Sequence, residues 1–161
     1  MFELFGNMDS AEEINTLAVN LRKEGDLTNI KKLTVENGIN EDIAQAFIDG
    51  DLLYLCDDMM AGIGKITIEA AELKPVELIE DWVEYIKSQC FENAEIARAV
   101  RNSKKSLQGC IAQLLSWSYK NCYSVDKEIC KAAGITGATV KMGIPGMGTA
   151  KRIIKEYYTK G

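Results

Sequence analysis

The chain has 161 residues, room for one domain or two small ones packed together, and its 47% apolar and 27% charged residues exclude disordered and collagen-like architectures. Net charge is −5, yet residues 1–84 hold 19 Asp/Glu against 6 Lys/Arg (net −13), whereas residues 85–161 hold 5 against 13 (net +8). An acidic surface is drawn to cationic protein clefts and a basic one to nucleic acid, unless the two halves neutralise each other by packing together.

In chain order, the first helix is signalled by Ser10 and Glu13 as a capping box, by Ile14, Leu17, Ala18 and Leu21 at helical spacing, and by Gly25 just past its end. A second helix runs from about Thr28 to Asn37, burying Ile30 and Leu33 and stopped by Gly38. A third opens at Asn40, with Glu41 and Asp42 in the first turn, where the macrodipole favours them, and Gly50 ends it. This outline has the form of a helix-turn-helix. Its second helix, however, carries Glu41, Asp42 and Asp49 and no cation, so it is not built to read DNA.

Residues 51–64 (DLLYLCDDMMAGIG) read as a buried fourth helix with Asp57 and Asp58 exposed, and Thr67–Leu73 as a connector. Pro75 reads as an N1 proline starting a long helix to about Cys90, with Val76, Ile79, Trp82, Val83 and Ile86 inward and Glu77, Glu80, Asp81 and Glu84 outward. Asn93–Arg101 is the next helix, and Ser106 caps another that carries Leu107, Cys110, Ile111, Leu114, Leu115 and Trp117. A short helix over Val125–Ala133 ends at Gly134. The glycine-rich stretch 135–148 holds at most a minor β-segment near 138–143, and a last helix runs from about Thr149 to Tyr158. The expected fold is therefore an all-α bundle of about eight helices. It divides into an acidic subdomain, 1–73, and a basic one, 74–161, with the long Pro75–Cys90 helix serving both.

There is no histidine, which removes the commonest general base and metal ligand and with them Ser-His-Asp, Cys-His and H-E-x-x-H chemistry. The carboxylates have no legible base or metal partner, so no catalytic role, cofactor or metal is assigned. Five cysteines, an odd number with no C-x-x-C pair, read as buried small apolar residues rather than a disulfide framework or zinc site. No apolar run approaches the ~20 residues of a membrane span, and the opening MFELFGNMDS lacks a basic stretch before an apolar core, so a cytoplasmic protein is expected.

Two surfaces could engage partners. Asp57, Asp58, Glu77, Glu80, Asp81 and Glu84 make an acidic face suited to a cationic nucleic-acid channel on another protein. Lys104, Lys105, Lys141, Lys151, Arg152 and Lys155, with Gly146 and Gly148 ahead of the last helix, make a basic one. The run Gly143-Ile-Pro-Gly-Met-Gly148 lacks P-loop spacing but is like the glycine turn of a helix-hairpin-helix; the bland alternative is a tight turn that docks the last helix. Spacing makes Trp82 and Trp117 core residues and leaves Tyr157 and Tyr158 as the aromatics for base stacking.

The segments Ile86-Lys-Ser-Gln-Cys90, Ala94-Glu-Ile-Ala-Arg-Ala-Val100 and Lys105-Ser-Leu-Gln-Gly-Cys-Ile111 together resemble the helical core of PcfK-like proteins. These are encoded on phages and conjugative elements of Firmicutes, and the group includes anti-CRISPR proteins that inhibit Cas9. The resemblance covers roughly a third of the chain; residues 1–73 and the Gly143–Gly148 run have no counterpart in it. It implies a non-enzymatic protein of the bacterial host's cytoplasm that binds a CRISPR effector nuclease, Cas9 foremost, with its basic half turned to DNA or guide RNA. The alternative is a small DNA-binding accessory protein of a mobile element, acting through the basic half.

Overall fold

A computed structural model describes residues 1–161 as nine helices: α1 (Ala11–Glu24), α2 (Leu27–Glu36), α3 (Glu41–Asp49), α4 (Asp58–Leu73), α5 (Leu78–Glu92), α6 (Ala94–Arg101), α7 (Leu107–Lys120), α8 (Lys127–Ala132) and α9 (Met147–Thr159). The all-α class holds. The one sheet is an antiparallel pair, β1 (Tyr123–Ser124) on β2 (Lys141–Met142), with Tyr123 opposite Met142. Polar caps set the helix starts where the sequence placed them: the Ser10 hydroxyl accepts from Glu13 N–H, and Asn40, Asn93 and Ser106 do the same for α3, α6 and α7.

The apolar side chains form two clusters. One gathers Ile14, Ala18, Ile30, Leu33, Phe47 and Leu55 from α1 to α3 and the following link. The other gathers Trp82, Ile86, Val100, Leu107, Leu114 and Ile154 from α5, α6, α7 and α9. The helix with a residue in each is α4, through Ala61 and Ile66, rather than the helix that follows Pro75. Several boundaries differ from the sequence reading for the same reason. Residues 51–57 are not helical: the Asn15 side chain accepts from the N–H groups of Leu55 (2.9 Å) and Cys56 (3.0 Å) and donates to the Cys56 carbonyl (2.8 Å), holding them extended. Asp57 then caps α4, which continues unbroken through Ile66-Thr-Ile68 to Leu73 because neighbours cover it on two sides. Pro75 precedes α5 by three residues, since Lys74 and Glu77 both take positive φ (48° and 52°) and turn the chain before the helix begins.

Small residues on α4 permit this central position. A Cβ on Gly64 would overlap the Asn37 carbonyl oxygen, and one on Gly62 would lie 2.9 Å from the Ala97 carbonyl oxygen, so the α2–α3 turn and α6 both approach the α4 backbone directly. Between these contacts lie the three buried charged residues of the protein, Lys65, Glu69 and Arg101. The Lys65 ammonium donates to the carbonyls of Val100 (3.0 Å), Asn102 (2.6 Å) and Lys105 (2.5 Å), at the end of α6 and in the turn after it; the Asn102 carbonyl also accepts from the Lys105 N–H, and the other two would otherwise be orphaned. One turn later, Glu69 accepts from the Leu107 N–H at 2.7 Å, at the start of α7, and stands 3.9 Å from Lys65. Arg101 reaches back to the Asn37 side chain at 2.7 Å. Burial lowers the Lys65 pKa to about 8, still above neutral, and carbonyl oxygens favour the ammonium; the same burial raises the Glu69 carboxyl.

Two predictions follow from α4. Lys65→Met strands two carbonyls and removes the cation beside Glu69, and should lower unfolding free energy in urea by about 3–5 kcal/mol; Lys65→Met combined with Glu69→Leu should cost less than the sum of the two single changes. Gly64→Ala should lower the thermal midpoint sharply, whereas Gly148→Ala, where a Cβ meets nothing within 4 Å, should leave it unchanged or raise it.

Candidate functional site

The acidic residues singled out by sequence fall into two groups. Asp57 and Asp58 open α4. Glu77, Glu80 and Asp81 open α5, which starts beyond the other end of α4, and 16 helical residues separate the groups by about 24 Å. Asp57 is occupied as the α4 cap, accepting from Met60 N–H at 2.7 Å, and Asp58 pairs with Arg98 on α6 at 2.7 Å. Glu84 pairs with Lys87 at 2.8 Å. Glu80 and Asp81 are exposed, with no cationic side chain against them, on a helix whose opposite face (Trp82, Val83, Ile86) is fixed in the core. They form an acidic platform fixed by the core beneath it. Their position in the first turn of α5 also sets them against the positive end of its dipole.

The basic residues line α9 and its two ends. Lys151 lies 5.0 Å over the Tyr85 ring, and Lys155 flanks the shallow seam between α9 and α5. Arg152 pairs with Glu156 at 3.6 Å. Lys141 stands exposed on β2, near the N-terminal end of α9; Lys104 is exposed in the α6–α7 turn, and Lys105 donates to the Lys160 carbonyl at the C-terminal end of α9. The lysines thus form a row rather than a pocket. Gly146 caps α9 with an extended backbone (φ −60°, ψ 159°), and Gly148 lies in its first turn.

Three sequence readings are corrected here. A helix-hairpin-helix needs a helix on each side of its glycine turn, but β2 directly precedes Gly143–Gly148 and α8 ends at Ala132, so no such module exists. Gly143 instead packs where a Cβ would overlap the Ser118 carbonyl oxygen, which serves the close return of the chain to α7. Tyr158 is buried beside Cys110 in the C-terminal core and is not free to stack bases; Tyr157 is partly buried, its hydroxyl accepting from the Ser106 N–H at 3.0 Å and Lys105 lying 5.1 Å over its ring. Trp117 is only partly buried. It lines a groove with Gln113, Lys120, Ile153 and Tyr157, because α9 crosses α7 on the adjacent face.

Two features had no clear sequence signal. A groove of about 740 Å³ lies between α1 and the 51–57 link, lined by Glu12, Asn15, Val19, Tyr54, Asp57 and Asp58. It exists because the link runs extended beside α1, tethered there by Asn15, instead of packing as a helix. The second is the segment between α7 and α9, whose side chains are almost all exposed. No group of three or more Cys, Asp or Glu side chains is placed to hold a metal ion. The thiols of Cys56, Cys90 and Cys110 are pushed up to about 12 by burial; Cys122 alone among the five is exposed. Under native conditions a thiol-specific reagent should therefore modify one cysteine rapidly, Cys122, and the other four only on unfolding, as read by intact mass.

Comparison of the chain with models of protein families, with curated proteins and with solved structures finds no match.

Proposed function

We propose that this chain is a non-enzymatic binding protein that inhibits a CRISPR effector nuclease, Cas9 the first to test, in the cytoplasm of a bacterial host. The acidic half enters a channel built for nucleic-acid phosphates, and the basic half faces guide RNA or DNA. The observation that carries the reading is the segregation of charge, −13 over residues 1–84 and +8 over residues 85–161, with Glu80 and Asp81 displayed unpaired on a helix anchored in the core. Rigid carboxylates of this kind mimic phosphates without the ordering cost of a flexible tail. The resemblance of the 86–111 segment to PcfK-like proteins supports the same direction. Those residues lie on α5, α6 and the start of α7, where Ile86, Cys90, Ala97, Val100, Leu107 and Cys110 are core positions.

A second reading, a DNA-binding accessory protein, is favoured by Lys104, Lys141 and Lys155, exposed and without a carboxylate partner. A row of such cations binds duplex DNA with a steep dependence on salt.

The test is binding of the purified protein to Cas9, with and without guide RNA, by calorimetry. Glu80→Lys together with Asp81→Lys should weaken binding at least about ten-fold while leaving the helical circular dichroism unchanged, since neither side chain packs in the core and loss of the dipole contact costs only about 1 kcal/mol each. Full-strength binding by that variant removes the acidic platform from the account. No binding to the nuclease, with retardation of DNA at ~50 mM salt, gives the second reading precedence.

A further inference from the structure

Between α7 and α9 the chain runs out through β1, α8 and β2 and returns as an arm. Its two strands pair with each other, and the Val125 N–H donates to the Val140 carbonyl at 2.9 Å. From Tyr119 to Ile144 only Cys130 is buried, and α8 has no extended contact with any other helix. The arm nevertheless displays large apolar side chains: Tyr119 (87% exposed), Tyr123, Ile129 (62%) and Ile144, with Leu115 (67%) at its base. Lys120, Lys127, Lys131 and Lys141 surround them, against Asp126 and Glu128. An apolar surface of this extent with a polar rim marks a protein contact site rather than ordinary monomer surface. Nucleic acid would satisfy the lysines and tyrosines but offers nothing apolar to Leu115, Ile129 and Ile144.

The complement of this surface lies on the same chain. Beside the α1/link groove, Leu53 (75% exposed) and Tyr54 (66%) stand in the open, and the groove is rimmed by Glu12, Asp57 and Asp58 against one cation, Lys23, with Asp51 close by in sequence. An apolar centre with an acidic rim therefore matches an apolar centre with a basic rim. The arm makes no extended contact with α1 in its own chain, so the match is made between molecules. We infer that two copies of this chain associate with the arm of each seated on the α1/link groove of the other. Each copy has one arm and one groove, so reciprocal seating closes a two-fold dimer and leaves neither surface open. The inference does not depend on the nuclease reading. Glu80 and Asp81 open α5, beyond the other end of α4 from this groove, so self-association and nuclease binding use different surfaces.

Sedimentation equilibrium tests it directly. At about 100 µM and ~0.15 M salt the chain should show twice its 17.8 kDa mass, with dissociation favoured by added salt. Two exposed-site variants should each weaken association at least about ten-fold without loss of helix signal: Lys127→Glu with Lys131→Glu on the arm, and Glu12→Lys with Asp51→Lys at the groove. An equimolar mixture of those two variants should regain the dimer, because an acidic arm then meets a basic groove and a basic arm an acidic groove. A monomer at all concentrations overturns the inference. So does a dimer that neither variant weakens, or a mixture that stays monomeric.

Discussion

The buried Lys65 ammonium is the interaction on which the rest of the structure depends. A cation removed from water costs several kcal/mol unless its environment replaces the lost hydration. Here three carbonyls converge on it, and their oxygens belong to the end of α6 and the turn that leads into α7. Glu69, one turn along the same helix, takes the first N–H of α7. A single helix thus ends one neighbour and starts the next. The α6–α7 turn is fixed from beneath by these two groups, and from the N-terminal side by Asp9, which accepts from the Ser103 N–H at 2.7 Å. Because Ala61 and Ile66 of α4 sit in different apolar clusters, the same element also joins the two halves of the chain.

This arrangement explains why the ionisable groups divide so cleanly into buried and displayed. Lys65 and Glu69 meet backbone groups inside, Arg101 meets the Asn37 side chain through one guanidinium nitrogen while the other two are buried without a partner, and the remaining charges are free to form surfaces. The acidic residues of α5 and the lysines of α9 stand on helices whose apolar faces share one cluster, so both surfaces are held by the same core. The exposed arm is the exception: it has almost no core of its own and displays apolar side chains that a partner would cover.

Much of the frame was legible in sequence because it is encoded locally. Ser10, Asn40, Asn93 and Ser106 cap their helices through contacts three residues long or shorter, and Ile14, Ala18, Trp82, Val83, Ile86, Ala97 and Val100 do face the core. Val76 and Ile79, read as inward, are exposed because the chain turns at Lys74 and Glu77 before α5 begins. What failed was encoded at a distance. The helix read over residues 51–64 ends at Gly64, yet Gly62 and Gly64 are the places where other backbones touch a continuous α4. Lys65, in an otherwise apolar run, gave no sign of being buried, since its partners lie 35 to 40 residues away. Trp117 and Tyr158 were exchanged in role because the crossing of α7 and α9 decides which face is covered, and periodicity within one helix does not contain that crossing. The acidic residues were correctly placed outside, but their division between the two ends of α4 depends on that helix being continuous.

The central claim is that α4 makes one cooperative unit of two apolar clusters. Native-state hydrogen exchange measures this most directly, by comparing the opening free energies of buried amides in the two clusters. The account predicts that amides of Ile30 and Leu33 in α2, and of Ile86 and Leu114 in α5 and α7, exchange only through global unfolding and share one opening free energy. If α1 to α3 opened at a distinctly lower free energy while α5 to α9 stayed protected, the two clusters would be independent and the role given to Lys65 and its helix would be contradicted.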